Sequence, residues 1–410
     1  MKITAVFLSK KNSNKKNIIN NIKKQNNNVV NFKLSKIIYI IVVIFGIIVL
    51  IGILIFILLK NTFLMSHPEL KGEPEENKWY RITPKDAKSS DGSDWHGIFK
   101  LGKEKNKVIV YFFGGGVSIT PETSEGGKEF YATNMMGQDF VAKGGIGSDV
   151  EENPFKDWTK IVVPYASGDF HSGTGEYHYK DSKGKDKTIY HNGYNNYTLL
   201  MKEVQEYVDF DKVDTLLVTG FSAGGFGTSL LSDDVINYFP NANNITVAVD
   251  SSLILYDGWH KSATELWNSP QEISDRLTGN NIVFDSLVAL HNKRGNSVKI
   301  LFDCSVRDDT LQQYQAYIDH GKMGKTKEYG DKFQKDLKQM VSDLQTNIDG
   351  VGIYIWEYGT DSETKNTQHT IISANFLDKL EDNKSIADWM IDSVNENVKS
   401  YGLDLLDKKY

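Results

Sequence analysis

One cysteine, Cys304, stands in a chain of 410 residues. No intrachain disulfide can form, and no cysteine-built metal site either. A lone cysteine reads as a small buried hydrophobe rather than a nucleophile. Acidic side chains are missing from residues 1–36, which hold nine lysines (Lys2, Lys10, Lys11, Lys15, Lys16, Lys23, Lys24, Lys33, Lys36). The remainder therefore carries 38 basic against 53 acidic side chains, a net of −15. That balance argues against a nucleic-acid surface on the main body. The Lys/Asn-rich start reads as a solvated, positively charged flank. No internal repeat is present. With 40% hydrophobic and 24% charged residues, the composition is that of a folded protein.

The longest apolar run, Ile37 to Leu59, has 23 residues and no charge. About 20 residues span a bilayer as a helix. A cleaved signal peptide has an apolar core of only about 7–15 residues and a small-residue cleavage site. The run is thus expected to be an uncleaved transmembrane signal anchor. The lysines before it predict a cytoplasmic tail over 1–36 and an extracytoplasmic body. A polar connector with Pro68, Gly72 and Pro74 makes 60–78 a stalk. The domain expected to carry the chemistry is 79–410.

Within that domain short apolar runs alternate with helical patterns. Strands are expected at Val108–Phe113, Ile161–Pro164, Thr215–Val218, Ile245–Val249, Val298–Phe302 and Gly352–Glu357. Helices are expected at Tyr197–Phe210, Gly225–Tyr238, Thr310–His320, Asp331–Leu344 and Ser385–Lys399, the last capped by Ser385 with Asp388. Such alternation means an α/β fold with a mostly parallel sheet flanked by helices.

The segment VDTLLVTGFSAGGFG, Val213–Gly227, places Gly220-x-Ser222-x-Gly224 between an apolar strand and a helix. That context thrusts a serine hydroxyl out above a parallel sheet. Glycines are needed because the turn is tight, and the helix start offers N–H groups to a developing oxyanion. A second glycine run, Gly114-Gly115-Gly116 before Val117, ends the strand VIVYFF. The expected oxyanion donors are Gly116, Val117 and Ala223. No Lys-Ser/Thr follows this run, which leaves a phosphate cradle without support.

A serine nucleophile needs a base and an acid. In the order Ser, acid, His, with the acid after the strand VKILF, His320 and His369 remain as bases. His320 sits at a helix end, where the dipole alone accounts for it. His369, in the polar loop TDSETKNTQHT, is the expected base. Asp303, Asp308 and Asp309 follow the strand. Asp303 reads as structural. Asp309 opens a helix and is the expected acid, ahead of Asp308, with Asp250 as an outside candidate. Two loops rich in aromatics and polar groups, VPYASGDFHSG and HNGYNNY, suit either a carbohydrate pocket that includes Asp169, His171, Asn192 and Tyr194 or hydrogen-bonded loop structure. A metal held by Asp169, His171 and His191 has no specific spacing to support it, and no metal or cofactor is expected.

The ordered series SSDGSDWHGIFKLG, VIVYFFGGG, VPYASGDFHSG, HNGYNNY, TGFSAGGFG, VDSSLILYDGW, DDTLQQ and QHT resembles the pectin acetylesterases and related Notum carboxylesterases, over about 79–376. The resemblance implies an α/β-hydrolase-like fold without a metal cofactor. It implies a triad of Ser222, Asp309 and His369, with the glycine loop as oxyanion hole. Family members often carry Trp where this chain has Val117, and Cys where it has Ala166. The expectation is a membrane-anchored serine carboxylesterase acting on short acyl, chiefly acetyl, esters of carbohydrate. The alternatives are a lipid or acyl-protein deacylase of the same fold and a non-catalytic extracytoplasmic binding protein.

Overall fold

The structure, a computed structural model, describes residues 67–410 together with helical positions Lys23, Ile44, Ile47, Ile51 and Gly52. Those positions apart, the proposed 37–59 span lies outside the described residues. Among the described residues no helix is long and apolar enough to cross a membrane.

An eight-stranded sheet carries the fold. Its strands are β1 (Trp79–Ile82), β2 (Gly97–Lys100), β3 (Glu104–Phe112), β4 (Trp158–Val163), β7 (Thr215–Phe221), β8 (Asn244–Asp250), β9 (Val298–Ser305) and β10 (Gly352–Trp356). The spatial order is β1-β2-β4-β3-β7-β8-β9-β10. From β4 to β10 every pairing is parallel, while β1 and β2 are added antiparallel at one edge. The parallel core is what the apolar runs predict: strands covered on both faces read as continuous Val/Ile/Leu/Phe stretches. β7, LLV at its centre, is buried along its length up to Phe221.

Helices Gly193–Val204, Ala223–Tyr238, Ile282–Arg294, Leu311–His320, Lys327–Asn347 and Ile386–Val394 are the longest of the described domain. The Ser385/Asp388 capping box is present as predicted. The helix expected at Tyr197–Phe210 instead begins at Gly193. The reason lies in Asp169, whose carboxylate accepts the Gly193 N–H at 2.8 Å and fixes the helix start there. The loop HNGYNNY is thus largely the first turns of a helix. A small antiparallel hairpin, β5 (Gly175–Lys180) with β6 (Asp186–His191), stands apart from the main sheet. Its alternating GEYHYK pattern is the period-2 signal of a half-exposed strand.

Candidate active site

The parallel strands all deliver their carboxyl ends to one edge, where open α/β sheets build their sites. β7 ends at Phe221, and Ser222 turns the chain into helix Ala223–Tyr238 at φ 55°, ψ −127°. A positive φ on a residue with a Cβ costs about 1–3 kcal/mol and persists only where the surroundings impose it. Here they do. The Ser222 N–H donates to the Asp250 carbonyl at 2.9 Å, and the Ser252 hydroxyl donates to the Ser222 carbonyl at 2.8 Å. A Cβ on Gly224 would lie 2.0 Å from the Phe112 carbonyl oxygen, and one on Gly220 would lie 2.3 Å from the Gly224 oxygen. Both motif glycines are therefore fixed by close approach of backbone. The Ser222 side chain makes no capping bond to its own helix, which leaves its hydroxyl uncommitted.

The glycine loop after β3 lies against this turn. A Cβ on Gly114 would meet the Phe221 oxygen at 2.6 Å and Ser222 Cβ at 2.7 Å. The predicted donors separate here. The Val117 N–H donates to the Phe130 carbonyl at 3.1 Å, so it is spent on the fold. The N–H groups of Gly116 and Ala223 have no acceptor among the described residues, and neither does that of Gly115. Val117 is thus replaced by Gly115 as a free donor beside Gly116 and Ala223.

His369 follows β10 in the loop that the sequence singles out. Its Nδ1–H donates to Asp308 Oδ2 at 2.7 Å. The carboxylate is Asp308 and not the expected Asp309. Asp309 accepts from the Thr310 hydroxyl and from Lys325 at the surface. The helix start expected at Asp309 is also held by Asp308, whose other oxygen accepts the N–H groups of Thr310 and Leu311 at 3.0 and 2.8 Å. One fully buried carboxylate thus starts helix Leu311–His320 and orients the imidazole. Backbone bonds between Asp309 N and Thr367 O, and between Thr367 N and Arg307 O, hold the two loops together. Arg307, buried, clamps them further through the Lys365 carbonyl and Asp331.

Burial disfavours the imidazolium of His369. The Asp308 carboxylate, with smaller contributions from Asp250 and Asp309, outweighs burial and holds the ring above its ordinary value of 6.5. Nε2 is buried and has no hydrogen-bond partner. Asp250 ties this ring to the serine turn. Its carbonyl holds Ser222, and its Oδ2 accepts the N–H groups of Ile371 and Ile372, both at 3.0 Å.

The four residues expected to bind substrate are not brought to this edge as substrate contacts. Asp169 is fully buried and accepts from the Ser167 hydroxyl and from the N–H groups of His171, Gly173 and Gly193. His171 is buried with Nε2 on the Phe113 carbonyl at 2.9 Å, and burial pushes its pKa down to about 4. It is a neutral strut under the glycine loop. Asn192 bonds to Asn195 and Asn196 in the same helix. Tyr194 lines a separate polar cavity with Asp234, Glu272 and Arg276, and burial lifts its pKa to about 12. Loop polarity suggested recognition, but Asp169 and His171 satisfy backbone, and Asn192 bonds neighbouring asparagine side chains. Among the described residues no group of three or more His, Cys, Asp or Glu could hold a metal ion.

The fold and the edge define a mixed α/β protein with a large, mostly parallel sheet flanked by helices and a strained serine turn at its carboxyl edge. Residues 80–269 match the pectinacetylesterase family model, so the chain resembles that family over the glycine loop and Ser222, short of Asp308 and His369. Two crystal forms of the Wnt deacylase Notum from Drosophila share the fold. One is 16% identical with a TM-score of 0.54, covering 76% of this chain and 91% of that one. The other is 14% identical with a TM-score of 0.52, covering 77% and 92%.

Proposed function

We propose that this protein is a serine carboxylesterase that removes short acyl groups, chiefly acetyl, from carbohydrate. The observation that carries the proposal is the 2.7 Å Nδ1–Asp308 bond of His369, which leaves Nε2 as the free face of the ring. An imidazole so oriented is a general base in the correct tautomer. Serine–base contacts in unliganded sites are often long and tighten on binding, so an unpartnered Nε2 is compatible with this role.

In the proposed cycle Nε2 takes the Ser222 proton as Oγ attacks the ester carbonyl. The tetrahedral oxyanion is met by the N–H groups of Ala223, Gly116 and Gly115, each such donor contributing about 3 kcal/mol. The imidazolium returns its proton to the leaving alcohol. Water, deprotonated by His369, then attacks the acyl-enzyme and releases the acid. Asp308 stabilises the imidazolium in both halves.

The fold shared with a Wnt deacylase makes protein deacylation the second reading. Acetyl, butyryl and palmitoyl esters offered to the purified protein, with Ser222→Ala as control, separate the two. Preference for acetyl supports the carbohydrate esterase, and preference for palmitoyl supports the deacylase. No hydrolysis of any of them contradicts both and favours a binding protein. We further propose that residues 37–59 anchor the chain with its N-terminus cytoplasmic and the 79–410 domain outside; protease protection in vesicles tests that arrangement.

A further inference from the structure

Behind the site two carboxyl groups face each other in the sheet. Asp250 ends β8 and pairs in register with Asp303 on β9. Neighbouring strands lie about 4.8 Å apart, so in-register side chains share one face in contact range. Both residues are fully buried. Each has one oxygen in use: Asp250 Oδ2 accepts from Ile371 and Ile372, and Asp303 Oδ1 accepts from Trp356 Nε1 at 3.2 Å. Each has one oxygen, Asp250 Oδ1 and Asp303 Oδ2, buried with no partner.

Two ionised carboxylates cannot sit side by side without water or a cation. Among the described residues no Lys or Arg pairs with either. The other titratable groups around the pair are Tyr111, Cys304 with Asp308 beyond it, His369, and Tyr354, which lies in register with Asp303 on β10. Tyr111 and Cys304 are themselves pushed up by burial. The Ser251 hydroxyl, also buried without a partner, can donate a hydrogen bond but cannot remove a charge.

We propose that Asp303 is protonated and donates its Oδ2–H to Asp250 Oδ1, and that this pair positions His369 by holding the Ile371–Ile372 backbone. A single proton satisfies both orphan oxygens. It leaves one negative charge on Asp250, where two N–H groups already point. Burial first, and the neighbouring Asp250 charge second, push the Asp303 carboxyl well above the usual range, in keeping with this. Asp250 and Asp303 are positioning residues. The kinetic part of this inference rests on the esterase reading; the protonation part does not.

Infrared spectra of the full-length protein at neutral pH test it. The wild type is expected to show a buried carboxylic-acid C=O band that persists well above the ordinary carboxyl titration range and is absent from Asp303→Asn. Asn keeps a donor toward Asp250 and an acceptor for Trp356, so Asp303→Asn is expected to retain wild-type ester hydrolysis and its pH profile. Asp303→Leu removes the donor, and kcat/KM is expected to fall roughly tenfold. No acid band in the wild type, a band unchanged in Asp303→Asn, or equal impairment by Asn and Leu overturns the proposal. Should the Leu variant fail to fold, the infrared comparison decides alone. A wild type that shows the band yet hydrolyses no ester defeats the esterase reading and supports the protonated pair.

Discussion

Asp308 accepts the Nδ1 proton of His369 at 2.7 Å, while Asp309, the next residue, turns to Lys325 at the surface. The two carboxylates should respond differently to the same change. Asp308→Asn is expected to lower kcat by about 10³–10⁴, because the amide favours the wrong imidazole tautomer. Asp309→Asn should leave the rate near that of the wild type. Ester hydrolysis by both purified variants checks this. Equal losses would remove Asp308 from its role.

The raised pKa of His369 sets the pH response. A base must be neutral to accept a proton, so activity should fall as pH drops through a value above the ordinary 6.5. The charge of Asp308 causes the rise, so Asp308→Asn should move this limb to lower pH. For stability the sign reverses. A raised histidine stabilises the folded state below about pH 6.5, and that contribution fades as pH rises through the folded value. A kcat/KM profile for each protein checks the first two statements.

His171 behaves in the opposite way. Its folded pKa is pushed down to about 4 by burial. Below about pH 6.5 the unfolded chain binds a proton that the folded chain refuses. Stability should therefore decline between pH 6.5 and 4, by up to about 3 kcal/mol. His171→Gln should flatten that part of the stability–pH curve. Denaturant unfolding across this range reads it out.

Much of this edge is legible in the chain itself. The strand–Gly-x-Ser-x-Gly–helix order is local, so periodicity and glycine spacing announce Ser222. His369 follows from its polar loop after the last strand. The choice between Asp308 and Asp309 is not local: it depends on the pairing of Arg307–Asp309 with Thr367, some sixty residues on. The same limit hides Val117, whose N–H is taken by Phe130. Asp169 and His171 look like recognition groups because they are polar and sit in a loop. Only the folded chain shows them bonding backbone. The edge strands β1 and β2, four residues each, are too short to carry a periodic signal.

The glycine contacts give a steric prediction. Gly114→Ala would set a methyl 2.7 Å from Ser222 Cβ and 2.6 Å from a carbonyl that cannot rotate away. Overpacking of this kind costs about 1–3 kcal/mol. It also pushes the donor loop off the serine, so activity should drop more than stability. Gly295→Ala meets nothing within 4 Å, though its φ of 57° adds backbone strain, and it should affect stability alone. Thermal melts beside rate measurements distinguish the two variants.

The central claim is that Ser222 is made nucleophilic by His369. A fluorophosphonate probe, with the modified peptide mapped by mass spectrometry, tests it most directly. The account predicts one labelled site at Ser222 in the wild type, and strongly slowed labelling in His369→Ala and Asp308→Asn. Absence of label on the folded wild type, or labelling of Ser222 at the same rate without His369, would contradict it.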